Sequence, residues 1–220
     1  MKAKKTKMTD AATDDASRTV PGTVRIWDPL VRLFHWGLVA VFAVVWLSAE
    51  DLSTVHQIAG YVVAGLVAFR LVWGLVGSHY ARFSQFLKGP AATLSYLGDM
   101  KRGNERRYLG HNPVGAAMIL ALLLTLSGTA LTGWLSIEPA RLALLPGLPQ
   151  IVAPAWADNG GEKGGSEVIE DLHGVFANLM LFLVVLHVGG VVLASFRHHE
   201  NLAHAMVTGD KRAPGPGDIA

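Results

Sequence analysis

Four long apolar blocks set the terms for this chain: Leu30–Ala49, Val55–Gly77, Pro113–Ile137 and Leu172–Phe196. Each is long enough to cross a hydrocarbon core, which takes about 20 helical residues. The blocks lack the alternation of barrel strands, and lipid offers an exposed backbone no hydrogen-bond partner, so helices are the spanning form. The expected fold is an all-α membrane protein with four transmembrane helices in an up-down bundle. Charged residues make up only 16% of the 220, against about a quarter in soluble domains.

Orientation follows from Lys and Arg in the connections. The stretch before Leu30 carries Lys2, Lys4, Lys5, Lys7, Arg18 and Arg25, and the second connection carries Arg82, Lys88, Lys101, Arg102, Arg106 and Arg107. Arg197, Lys211 and Arg212 follow the last block. The first connection has only Glu50 and Asp51, and the third sets Arg141 and Lys163 against six acidic residues. Both termini are therefore expected in the cytoplasm. The basic pI then reflects topology and anionic lipid rather than nucleic acid.

Residues 1–23 are polar and lack the apolar core of a cleavable signal, so they are expected as a disordered cytoplasmic tail. Residues 24–208 form one domain, and 209–220 a second cytoplasmic tail. Trp27, Trp46, Trp73 and Trp134 fall near helix ends, where an aromatic belt would place them. The second connection has turn signals at Lys88-Gly89-Pro90 and Gly103-Asn104. The third, rich in Pro and Gly up to Gly164-Gly165, is the expected docking surface for a partner. With no cysteine in the chain, disulfides, thiolate metal sites and covalent c-type haem are excluded.

Four of the nine histidines lie in or at the edge of the blocks: His35, His56, His173 and His187. One membrane histidine can simply hydrogen-bond between helices. Four are harder to dismiss, because ionisable groups in a bilayer are costly and usually functional. His173 and His187 are fourteen residues apart, nearly four turns, so they share a helix face and differ in depth by about 21 Å. Topology then makes two level pairs: His35 with His187 on the inner side, His56 with His173 on the outer side. Facing neutral imidazoles can take both axial positions of a haem iron, and bundle interiors are common haem sites. The expected cofactors are two non-covalent, bis-histidine b-type haems. Zinc is the rival, but it prefers four ligands and no third converges on either pair.

Arg70 lies fourteen residues after His56, level with His187. Its charge needs a partner: either a haem propionate or, by snorkelling, the cytoplasmic headgroups. Gly37, Gly60, Gly174, Gly189 and Gly190 beside the histidines could admit a flat macrocycle, or serve ordinary helix packing. His111 is an alternative inner ligand or a proton group near a quinone; His79 flanks the same connection, and His198, His199 and His204 are expected at the surface.

These residues resemble the bacterial cytochrome b561 family, which includes the b-type cytochrome subunit of nickel–iron hydrogenases. The matching stretches are Val24-Arg25-Ile26-Trp27-Asp28-Pro29-Leu30-Val31-Arg32-Leu33-Phe34-His35-Trp36, His56-Gln57-Ile58-Ala59-Gly60-Tyr61, Arg70-Leu71-Val72-Trp73, Tyr80-Ala81-Arg82-Phe83, Gly110-His111-Asn112-Pro113, Leu172-His173-Gly174 and Leu186-His187. The resemblance implies a di-haem cytochrome of the bacterial inner membrane whose haems lie between helices one, two and four, with Arg70 beside a haem. It also implies exchange of electrons with ubiquinone or menaquinone. The expected function is electron transfer between the quinone pool and a periplasmic redox partner: a c-type cytochrome, a hydrogenase or another oxidoreductase. Hydrogenase subunits usually have a longer chain. The rivals are a superoxide oxidase that reduces ubiquinone, and a haem-free transporter or scaffold.

Overall fold

Asp28 starts the first membrane helix. Its carboxylate accepts the Val31 N–H at 2.9 Å, and Pro29 follows at the first helical position, where its missing N–H costs nothing. The computed structural model describes residues 22–50, 53–138, 141, 144 and 162–219, with the backbone alone for 162–166. In chain order these form β1 (Thr23–Arg25), α1 (Pro29–Leu47), α2 (Ser53–Val76), a 3-10 turn (His79–Ala81), α3 (Phe83–Phe86), α4 (Pro90–Arg102), α5 (Pro113–Ile137), α6 (Glu162–Arg197), α7 (Leu202–Thr208) and β2 (Asp210–Arg212). Four of the helices are long and apolar enough to cross a membrane: α1, α2, α5 and, from Glu167, α6. The chain is a multi-pass membrane protein. Most of residues 1–23, and most of the third connection, lie outside the described residues.

Helix α6 is longer than its apolar block. Its 36 residues span about 54 Å, against about 30 Å of hydrocarbon. Gly164-Gly165, which the sequence places in the third connection, lies inside this helix.

The helices pack α1 on α2, α2 on α5 and α5 on α6, while neither α1 nor α2 packs extensively against α6. An apolar mid-section joins all four: Val63, Val67, Leu126 and Met180 are buried, with Leu38, Phe42, Val45 and Val184 against them. Glycine brings α5 and α6 together. A Cβ on Gly128 would lie 3.0 Å from the Phe176 ring, so a larger residue would push the helices apart.

At one end the bundle carries a folded cap. β1 and β2 pair antiparallel, Val24 opposite Lys211, and Tyr108 bridges to Ile219. The segment beyond Thr208, expected as a tail, is thus part of the cap. Gly209 (φ 92°) makes this possible: its carbonyl accepts the Ile26 and Trp27 N–H groups at 2.9 and 3.1 Å, and a Cβ would stand 2.7 Å from the Trp27 carbonyl oxygen. Trp27 is consequently 6% exposed, packed with Ile26, Leu109 and Ala205, and does not belong to a lipid-facing belt. Trp46 is exposed. Trp73 is half-buried and donates through Nε1 to Asp28.

The cap is held by a buried charge cluster. Arg107 donates to Glu200 at 2.7 Å and also meets Asp218, while Lys211 reaches Glu200 at 3.3 Å. Burial works against the charge on Glu200, but Arg107, Lys211 and the Arg212 N–H outweigh it and hold its pKa below the usual range. Such a cluster specifies geometry, because losing one member strands the others in low dielectric.

Candidate functional site

The paired histidines sit above and below the apolar mid-section. On α1 and α6, the rings of His35 and His187 have centroids 6.5 Å apart with planes at 52°. On α2 and α6, His56 and His173 are 6.1 Å apart at 80°. An imidazole nitrogen bonds a transition metal at about 2 Å and lies about 1 Å from its own ring centre. Two imidazoles on one iron along a straight axis therefore hold their centroids about 6 Å apart. Both pairs have that spacing. Among the described residues no cluster of three or more metal-ligating side chains occurs.

The pair away from the cap has defined tautomers. His56 Nδ1 meets the Val45 carbonyl oxygen at 2.9 Å, and His173 Nδ1 meets the Thr129 carbonyl oxygen at 3.0 Å and Thr132 Oγ1 at 3.3 Å. A carbonyl can only accept, so each Nδ1 carries the proton and each Nε2 keeps its lone pair. Two lone-pair donors at this spacing suit a shared electrophile such as a metal. Gly133 lies against His173: a Cβ there would be 2.9 Å from Cε1 and 3.1 Å from Nδ1. Sequence reading assigned nothing to Thr129, Thr132 or Gly133, since they look like any small residues in a membrane helix.

The cap-side pair is built differently. His35 Nδ1 is buried with no hydrogen-bond partner. Arg70 is 4% exposed, donates to the Ala81 carbonyl at 3.1 Å and stacks 4.9 Å above the Phe83 ring. Its other terminal nitrogen, Nη1, has no partner. Arg70 is thus enclosed by Ala81 and Phe83 rather than exposed at the surface. Gly74 is what lets Phe83 fold over this turn, because a Cβ there would run into the ring. Gly37, Gly60, Gly174, Gly189 and Gly190 all face open space, with nothing within 4 Å of an added Cβ.

His111 does not join the cap-side pair. Its ring lies between Trp27 and Phe86, each centroid 4.6 Å away. Burial, with Arg70, Lys211 and His187 near, pushes its pKa down to about 3, so it is neutral at pH 7. It lines a cavity of about 230 Å³ with His79, Tyr80, Phe86, Tyr108 and Ile219. His199 and His204 are exposed and His198 is half-buried.

A family model, described as prokaryotic cytochrome b561, matches residues 26–209. The chain belongs to that family. It is thus a membrane b-type cytochrome of electron transfer, and b-type haem is its cofactor class. No curated protein and no solved structure matches the chain. For a cytochrome b561, the fit of the residues to haem is chemical: facing imidazoles at the right spacing, proton-fixed rings on one side, and a buried, incompletely partnered guanidinium on the other. When bound, haem supplies a one-electron couple. The paired imidazoles of His35, His187, His56 and His173 are the residues that could hold it.

Proposed function

We propose that this cytochrome carries two b-type haems, one on His35 and His187 and one on His56 and His173, and moves electrons between quinone and a redox partner on the opposite face. The observation that carries this reading is the pair of imidazole contacts at 6.5 and 6.1 Å, set at two depths along α6. A haem-free transporter or scaffold would leave four level-matched histidines unexplained. The cap lies on the cytoplasmic side of the inner membrane, a reading supported by the Lys and Arg distribution. The cavity beside His111 belongs to that side, and its imidazole and phenol groups suit the carbonyl oxygens of a quinone head.

The partner is a periplasmic redox protein with a basic face. Glu50, Glu138, Glu167, Glu170 and Asp171 are all exposed at the end away from the cap. Such a field attracts a cationic partner and repels an anion. That disfavours superoxide, the substrate of the alternative superoxide-oxidase reading.

Purified protein is expected to contain two low-spin haems b and to exchange electrons with a water-soluble quinone or its quinol. Absence of haem, or haem that exchanges no electrons with either, overturns the reading. Faster reduction by superoxide than by quinol would favour the alternative.

A further inference from the structure

We propose that α5, which supplies no ligand, is the positioning wall of the haem site away from the cap: Thr132 and Gly133 fix His173, and the iron there is held at the lower potential of the two. This rests on the ligation proposed above.

Three contacts make the wall, all from one turn and a half of α5. The Thr129 carbonyl and the Thr132 hydroxyl share the Nδ1–H of His173, at 3.0 and 3.3 Å. The Thr132 hydroxyl proton is committed elsewhere, to the Gly128 carbonyl at 2.8 Å, so toward His173 its oxygen acts as acceptor. Gly133 gives the ring room: two ring atoms come within 3.1 Å of where a Cβ would be, so a methyl group there would displace the ring.

Such a shell has an electronic effect. Donation from Nδ1–H to a good acceptor pushes electron density toward Nε2 and makes the imidazole a stronger donor. A stronger donor favours the ferric over the ferrous ion and lowers the potential. His56 has the same kind of acceptor in the Val45 carbonyl. The cap-side pair lacks it: His35 Nδ1 has no acceptor, and the buried Arg70 adds positive charge on that side, favouring the ferrous form. Both differences have the same sign. Electrons are therefore passed downhill from the end away from the cap toward the cap.

The test is a redox titration of parent, Thr132→Val, Thr132→Ser and Gly133→Ala proteins, each after haem quantification. The two couples are assigned with His56→Ala, which keeps only the cap-side haem. The parent is expected to show the lower midpoint at the His56–His173 site. Thr132→Val, nearly isosteric, should raise that midpoint and leave the other in place, and Thr132→Ser should restore it. Gly133→Ala should lose the haem on His173 while keeping the cap-side one. A parent without two haems overturns the ligation reading, and this inference with it. A parent with two haems whose order is reversed, or whose couples move together or not at all in Thr132→Val, overturns this inference alone. So does a Gly133→Ala protein with both haems at parental potentials.

Discussion

Replacing His173 with alanine is expected to cut haem b from two per chain to one, and His56→Ala to do the same. A haem held without covalent bonds depends on its axial nitrogens, and removing one leaves the iron five-coordinate at best in an apolar site. His35→Ala or His187→Ala should likewise lose the cap-side haem and spare the other, because the buried layer of Val63, Val67, Leu126 and Met180 separates the two levels. His111→Phe is the control: it keeps an aromatic ring between Trp27 and Phe86 and should retain both haems. Haem quantification with the dithionite-reduced spectrum of each variant decides. Retention of two haems in His187→Ala, with loss of one in His111→Phe, would replace the proposed cap-side pair.

The second large effect concerns Arg70. Its guanidinium is buried against the uncharged Ala81 carbonyl and Phe83 ring, and the Asp28 carboxylate is near enough to offset part of its charge. A positive charge near an iron favours the ferrous state, so Arg70→Leu is expected to lower the midpoint of the cap-side haem. At an effective dielectric of ~20, a unit charge about 10 Å away is worth ~1.7 kcal/mol. That corresponds to a fall on the order of 70 mV for a one-electron couple. Arg70→Lys, which keeps the charge, should stay near the parent and so separates charge from packing. A redox titration checks both, and equal shifts of the two couples would mean that Arg70 acts only through the fold.

Much of this arrangement could be read from residue order, and the exceptions have physical reasons. The membrane helices announce themselves because apolar runs of such length have few other uses. The meeting of His173 with His56, and of His187 with His35, follows from a fourteen-residue spacing on one helix face. What surrounds the histidines is less legible. Thr129 and Thr132 differ in no sequence property from Thr125, yet only they reach an imidazole. Gly133 supports a ring while Gly174 faces open space, and nothing local distinguishes them. The cap was hidden for another reason: its contacts join residues far apart in the chain, 93 positions for Arg107–Glu200 and 185 for Arg25–Asp210. No short-range pattern reports such pairing, so Trp27 looked like a belt residue and the segment after Thr208 like a tail. The basic connection likewise holds α4, begun by Pro90 and stopped by Gly103 in the left-handed region, where turn signals were in fact helix ends.

The angle between the rings of each pair has a magnetic consequence. Two axial imidazoles with planes near a right angle donate into different d orbitals of the iron and leave them almost equal in energy. Planes closer to parallel both act on one orbital and split the set. On the proposed ligation, the His56–His173 planes at 80° give a ferric centre of strong g anisotropy, and the His35–His187 planes at 52° a more rhombic one. Frozen oxidised protein should therefore show two distinguishable low-spin paramagnetic resonance signals, and the more anisotropic one should vanish in His56→Ala. The electron spin would then report, site by site, how the two helical walls have turned their rings.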